Sequence, residues 1–363
     1  MAERNSWASR SPRWTRSAAV GVSCLAITAL SQVASADEGG VSFWLPGQFG
    51  SLAAVPLQPG WSATEIFYVT NVSAGGDVAR AREITIGRFD PTLKLNLSGS
   101  LHADVPLFFA NATYAFATPV LGGQATLGMT GLYGRNDTDL SATVTGTLGG
   151  KSFSRSDTIE QAVTGFGDLY PMATLRWNKG ADNFMVYATG DIPVGLYSAS
   201  NLANIGIGHG AIDGGVGYTY FNPQTGHEFS VVTGFTYNFI DSSTQYRNGV
   251  DWHLDWGASQ FINPQVLIGA VGYIYDQIGC DSGAGDKVGC FRSRVVGIGP
   301  QVGVIFPMST PLGAMQGYLN LKGYGEFEGQ HRPAGWNAWI TLSISPAAQT
   351  PPASARPPLA RKY

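Results

Sequence analysis

The chain has 363 residues, enough for one large barrel or for two ordinary globular domains. Charged residues make up 13%, about half the roughly 25% of a typical soluble domain, and the 48 glycines are nearly double the roughly 7% of average usage. This composition disfavours a soluble protein, and a formal net charge of −3 without a Lys/Arg-rich block disfavours nucleic-acid binding.

The N-terminus has the three parts of a secretory signal peptide. Four arginines precede an apolar run over residues 18–30, and Ala34-Ser35-Ala36 follows as a cleavage site. Residues 1–36 are therefore predicted to be a signal peptide, cleaved after Ala36. A membrane anchor is the alternative, but this apolar run is too short to span about 30 Å of hydrocarbon as a helix.

Two further segments lie outside the expected barrel. Residues 37–60 contain Pro46, Pro56 and Pro59 among glycines and lack strand periodicity, so we expect them to fold into the lumen as a partial plug. Residues 346–363 are rich in proline and alanine and are expected to form a disordered periplasmic tail. Residues 61–345 remain for the barrel itself.

Apolar and polar residues alternate along many segments of the remaining chain. In residues 228–240, Phe229 and Phe235 share one parity, while Glu228 and Asn238 share the other. A period of 2 indicates a strand with one apolar and one polar face. A soluble β-sandwich also alternates. The segments here exceed the roughly 5–6 residues of ordinary strands and match tilted transmembrane strands.

The alternation predicts an all-β fold, a transmembrane antiparallel β-barrel of 12 to 14 strands. An even number is expected, because the barrel must close without a free edge, and about twelve is favoured. In chain order, the candidate strands are 60–72, 93–98, 105–116, 122–133, 141–149, 165–177, 184–193, 211–221, 228–240, 250–256, 266–275, 294–306, 319–326 and 336–344. Aromatic residues near strand ends are expected to form interfacial girdles: Trp61, Tyr68, Tyr170, Trp177, Tyr218, Tyr220, Trp252, Trp256, Tyr273 and Tyr275.

The polar parity identifies the side chains that are expected to line the lumen. These are Lys94, Arg176, Glu228, Arg247, Asp251, His253, Asp255, Lys322 and Glu326. Strong selectivity for small ions requires rings of one sign. Because the predicted lining mixes both signs, it favours a neutral solute.

One strand carries a dense group of these residues. Asp251, His253 and Asp255 share one strand face at a spacing of about 7 Å, and Arg247 precedes them by four positions. Three interpretations stay open: charges that satisfy one another in a wet lumen, a constriction that selects a substrate or ion, and a catalytic Asp/His pair with a serine from a neighbouring strand.

The mature chain is expected to keep two cysteines, Cys280 and Cys290, at the two ends of a Gly/Asp-rich stretch. In an oxidising compartment such a pair is most simply a disulfide across one loop. A metal site is disfavoured, because two thiolates leave a tetrahedral ion short of ligands.

Four short motifs occur in a defined order: Gly165-Phe-Gly-Asp-Leu-Tyr-Pro171, Asp191-Ile-Pro-Val-Gly-Leu-Tyr197, Thr244-Gln-Tyr-Arg-Asn-Gly249 and Gly272-Tyr-Ile-Tyr-Asp-Gln277. With them the chain resembles the meta-pathway phenol-degradation (SphA-like) family of outer-membrane proteins from about Pro59 to Ser345. The resemblance implies a barrel channel for aromatic or other hydrophobic compounds. Its motif positions include Asp168, Pro193, Gly195, Tyr246 and Gln277.

Several functions fit an outer-membrane barrel, because fold alone does not choose among them. The sequence has no nucleophile elbow, zinc-protease or phosphate-loop motif, so no cofactor, metal or enzymatic activity is expected. We favour passive uptake of a small hydrophobic or aromatic solute, with outer-membrane lipid and lipopolysaccharide around the barrel. A barrel hydrolase that uses the Asp/His group and a structural barrel with a closed lumen are the alternatives.

Overall fold

The computed structural model describes residues 42–85, 96–148, 151–311 and 313–347, which form a closed barrel of twelve antiparallel strands. The predicted signal peptide, Lys94 and most of the predicted tail lie outside the described residues. The strands are β1 Gly60–Gly75, β2 Asn96–Ala115, β3 Gln124–Leu148, β4 Lys151–Lys179, β5 Asp182–Asp191, β6 Ala211–Asn222, β7 His227–Asn238, β8 Asp251–Asn263, β9 Val266–Gln277, β10 Arg294–Thr310, β11 Gly313–Gln330 and β12 Ala334–Pro346. One helix, α1 Asp77–Thr85, follows β1.

Each strand pairs with its neighbours in sequence, and β1 closes the barrel against β12. The closing register runs from Ala63 opposite Ile344 to Ser73 opposite Ala334. Closure satisfies the backbone donors and acceptors of both terminal strands, as a lipid environment requires. The predicted all-β barrel and the favoured count of twelve are confirmed.

The fourteen candidate segments become twelve strands because β2 and β3 each cover two of them, and a third strand, β4, is longer than its alternation suggested. β2 extends through the region between two candidates, and β3 joins 122–133 with 141–149. β4 begins at Lys151, well before its predicted start. The β3–β4 hairpin is rich in serine, threonine and charged residues. Because both of its faces are polar, hydrophobicity does not alternate along these strands.

The barrel has two distinct ends. Short turns at 180–181, 223–226 and 264–265 mark one end, here named the turn end. Long connections at 192–210, 239–250 and 278–293 mark the other, here named the loop end. At the loop end, Ala79 of α1 and Leu202 of the 192–210 loop pack against Leu101 and Leu140 on the extended β2 and β3. No helix in the described ranges is both long and apolar enough for a membrane span.

The two faces of the wall follow the predicted parity along β7. Phe229, Phe235 and Tyr237 are exposed on the outer face, whereas Glu228 and Asn238 are buried on the inner face. An apolar outer face is the expected surface toward hydrocarbon.

The predicted aromatic girdle is partly wrong. Trp61 is 65% exposed on the outer face, but Tyr68, Tyr273 and Tyr275 are buried inside the barrel. Tyr170 also faces inward, with its ring centroid 5.8 Å from that of Phe43. These rings lie on the inner face because the chain's own N-terminal segment supplies an apolar surface for them there.

Candidate functional site in the barrel lumen

Residues 42–59, here named the luminal segment, run through the barrel before β1 begins. Trp44 and Ala54 of this segment are 1% and 0% exposed. Near the turn end, Leu57 N donates to Gln124 Oε1 at 2.7 Å and Leu57 O accepts from Gln124 Nε2 at 2.6 Å. The residues expected to form a partial plug therefore lie against the inner wall.

Asp255 of β8 binds a tight turn in the luminal segment. Its two carboxylate oxygens accept hydrogen bonds from Gly47 N at 3.0 Å and Phe49 N at 3.1 Å. Gly47 has a φ of +88°, and a Cβ there would lie 3.0 Å from the ring of Tyr324. Glycine is required at this turn for both reasons.

Lys322 of β11 binds the carbonyl groups of the same turn. Its Nζ donates to Gly47 O at 2.6 Å and lies 3.3 Å from Gln48 O and 3.4 Å from Phe49 O. One carboxylate and one ammonium group thus satisfy the donors and acceptors of a turn that lies inside the barrel. The opposite charges of Asp255 and Lys322 serve the backbone of one segment.

Glu228 of β7 makes a second anchor. It accepts hydrogen bonds from Ser51 Oγ at 2.5 Å and Leu52 N at 2.9 Å. Gln301 Nε2 donates to Ser51 Oγ at 2.7 Å and to Ser259 Oγ at 2.8 Å. Backbone and hydroxyl groups of residues 51–52 are therefore held from three strands.

His253 contacts the luminal segment through its ring face. The ring is fully buried and stacks on Trp44 at a centroid distance of 3.4 Å and an interplanar angle of 13°. Its Nε2 lies 2.9 Å from Asp213 Oδ2 and 3.4 Å from the Tyr187 hydroxyl. Neither of these partners supplies the serine that a hydrolase would need.

The predicted ladder of mutually satisfied charges is wrong in its pairings. Asp251 accepts a hydrogen bond from Asn238 Nδ2 at 2.9 Å, and Asp255 binds the luminal segment. Arg247 lies in the 239–250 loop, with its Nη1 2.8 Å from the Tyr237 hydroxyl and its Nε 3.1 Å from Ser282 Oγ. Arg247 does not share a strand face with Asp251, His253 and Asp255, because β8 begins only at Asp251.

Aromatic side chains of the wall form a buried cluster with Trp44 of the luminal segment. Tyr273 donates to Glu326 Oε1 at 2.6 Å, and Asn337 Nδ2 donates to the Tyr273 hydroxyl at 2.8 Å. Trp339 packs edge-on against Tyr68 at 4.7 Å. The inner face here combines large apolar rings with satisfied polar tips, a lining that suits an apolar ligand.

Arg176 is the remaining predicted lumen residue. It lies on β4 near the turn end, opposite Gln124 of β3 and Met185 of β5. Its Nε and Nη1 are buried and have no hydrogen-bond partner in the described structure.

Three motif residues hold the 192–210 loop against the wall. Asp168 accepts hydrogen bonds from Gly195 N at 2.7 Å and Ile207 N at 2.8 Å. A Cβ at Gly195 would lie 2.5 Å from the Gly167 carbonyl carbon and 2.7 Å from Asp168 Oδ1. Val194 N donates to Ile192 O at 2.9 Å across Pro193, which forms a narrow turn.

The other two motif residues organise the loop end. Asp241 N donates to Tyr246 O at 2.8 Å, and Gln277 Nε2 donates to Asp281 Oδ1 at 2.5 Å. Burial raises the pKa of Asp281 above its ordinary value, although the amides that bind it oppose this shift. The expected disulfide joins Cys280 and Cys290 in the same loop.

Sequence reasoning missed several luminal residues. Trp44 lies in a segment without alternation, so the sequence gives no sign of its position. Asp213 shares inward parity with Ala211 on β6, so strand parity could have identified it. Tyr187 and Tyr273 were missed as lumen residues because a polar inner face was expected. The missing signal was the apolar character of the segment that occupies the lumen.

A closed barrel with an apolar outer wall and a luminal segment defines the class of outer-membrane β-barrel proteins. Residues 72–342 match the model of the family described as MetA-pathway of phenol degradation. The chain belongs to this family, and the resemblance drawn from the motifs is confirmed.

The comparison with solved structures bears on the fold alone. An outer membrane channel from Pseudomonas putida F1 is 13% identical, with a TM-score of 0.55 over 83% of this chain and 98% of the channel. A FadL homologue from Pseudomonas aeruginosa is 10% identical, with a TM-score of 0.38 over 86% and 97% of the two chains. Only the first supports the fold. The curated proteins contain no match.

Proposed function

We propose that this protein is a passive outer-membrane channel for uptake of small hydrophobic or aromatic compounds. Membership of the phenol-degradation family supports the solute class. The observation that carries the proposal is the aromatic cluster inside the barrel. Trp44 of the luminal segment forms it together with Tyr187, Tyr273 and Trp339 of the wall. An apolar solute can move past such rings at little cost in free energy. A hydrated ion would have to give up its hydration water there, which is unfavourable.

The luminal segment is the gate in this proposal. Asp255, Lys322 and Glu228 hold it by hydrogen bonds, most of them to its backbone, so the anchoring depends little on side-chain identity. Local release of the segment would open the lumen without unfolding the wall, because the wall closes on itself through β1 and β12. The predicted signal peptide delivers the chain, and lipid with lipopolysaccharide surrounds it.

A hydrolase has less support. His253 is stacked on Trp44 and contacts Asp213 and Tyr187, so its ring is used in packing. We therefore propose that the protein is not an enzyme and that Asp213 and His253 position the luminal segment.

Entry of a hydrophobic dye into Gram-negative cells tests the proposal. N-phenyl-1-naphthylamine fluoresces when it enters the membrane interior, and intact lipopolysaccharide slows its entry. Cells that produce the protein should take up the dye faster than cells with an empty vector. A variant lacking residues 42–57 should be faster still. If the folded protein and this variant both match the empty vector, the channel function is wrong.

A further inference from the structure

Several charged residues of the barrel interior bind another group of the described chain. Asp255 and Lys322 bind the luminal segment, Glu228 binds Ser51, and Glu326 binds Tyr273. Arg176 makes no hydrogen bond or ion pair within the described chain.

The polar neighbours of Arg176 are hydrogen-bonded to other groups. Gln124, directly opposite on β3, exchanges two hydrogen bonds with Leu57. Thr126 and Thr174 lie in adjacent positions and are hydrogen-bonded to each other at 2.7 Å. Met185, opposite on β5, offers only an apolar side chain. All four of these neighbouring side chains are uncharged, so none of them neutralises the guanidinium.

An unpaired guanidinium in such surroundings is expensive. It carries its charge at neutral pH, and removing a charge from water without a partner costs several kcal/mol. The residue as a whole is half-buried, and its Nη2 is not among the fully buried nitrogens, so an anion would approach the guanidinium at this atom. A bound anion would offset the free-energy cost of this unpaired charge.

We propose that Arg176 is a binding site for the carboxylate of a small aromatic acid near the turn end of the lumen. A carboxylate matches the planar donor fork of arginine, and one guanidinium balances one negative charge. The aromatic part rests on the proposed function, while Met185, opposite Arg176 on β5, supplies an apolar side chain beside the charge. The channel then accepts aromatic acids as well as neutral aromatics, with Arg176 as the specificity determinant between them.

Calorimetry on the purified full-length protein in neutral detergent tests this site. Benzoate is the probe, and benzyl alcohol is its neutral counterpart. Benzoate should bind the wild-type protein, and its affinity should fall at least tenfold in R176Q. Benzyl alcohol should bind both proteins alike. The matched control is K179Q, which removes a positive charge from an exposed position of the same strand and should leave benzoate affinity unchanged.

Several outcomes would overturn the site. Undetectable benzoate binding to the wild type, equal affinities in R176Q, or acetate binding as tightly as benzoate would each do so. R176K should show intermediate affinity, because it keeps the charge and loses the fork. It replaces R176Q if circular dichroism shows that R176Q is unfolded. Binding in detergent needs no transport, so failed dye entry with intact benzoate binding refutes only the channel function.

Discussion

Replacing Asp255 with alanine removes both hydrogen bonds that this carboxylate makes to the luminal segment. Each bond joins a backbone N–H, of Gly47 or Phe49, to a charged acceptor at 3.0 or 3.1 Å. Hydrogen bonds to charged groups contribute about 1.5–3 kcal/mol each, which sets an upper range of about 3–6 kcal/mol. Water in the vacated site and relief of the buried charge reduce this figure.

We therefore expect D255A to favour release of the segment by at least about 1.4 kcal/mol, a tenfold change in its opening equilibrium. Ala54, which is fully buried, is the reporter position as A54C. With the predicted signal peptide and its Cys24 removed, this thiol is the free one, because Cys280 and Cys290 form a disulfide. The rate of labelling by a membrane-impermeant maleimide follows the opening equilibrium.

The labelling rate of A54C should rise at least tenfold when D255A is added. D137A is the matched control, because it removes a carboxylate that pairs with Arg135 on an exposed part of β3. Equal labelling rates with and without D255A would refute the view that this carboxylate holds the segment.

Three further changes test other contacts. W44A removes a fully buried ring and should raise A54C labelling more than W44F does, because Phe keeps part of the stacking on His253; equal rates would contradict this. G195A should lower the melting temperature in thermal circular dichroism through its clash with Gly167, whereas G325A, with open space around its Cβ, should not; matching temperatures would oppose the packing argument. Replacing Cys280 and Cys290 with serine should speed proteolysis within residues 278–293 by loosening the loop, by about 2–3 kcal/mol in a chain-entropy estimate; an unchanged cleavage rate would count against a role in ordering it.

The period of 2 was sufficient for the barrel and limited the prediction to 12 to 14 strands, of which the barrel has twelve. It failed on β3 and β4, where serine and threonine occupy both faces beyond the apolar belt. A strand outside hydrocarbon has no apolar face to reveal it. The extended hairpin therefore required the three-dimensional structure.

Strand parity predicted the inward orientation of the residues that hold the luminal segment, but not their contacts. Glu228, Asp255 and Lys322 have the inward orientation that parity indicated, yet their partners lie about 180 to 275 positions away in the luminal segment. A segment without periodicity gives no register, so these pairings could not be read from the sequence. The inward orientation of Tyr273 and Tyr275 was also missed, because the lumen was expected to be polar.

Relative permeability to an aromatic and a hydrophilic solute tests the central claim most directly. The measurement uses vesicles whose outer leaflet is lipopolysaccharide, with and without the reconstituted protein, and follows entry of benzyl alcohol and arabinose. The protein should accelerate benzyl alcohol entry and leave arabinose entry near the protein-free rate. Acceleration of arabinose alone, or of both solutes equally, would contradict a channel selective for hydrophobic compounds.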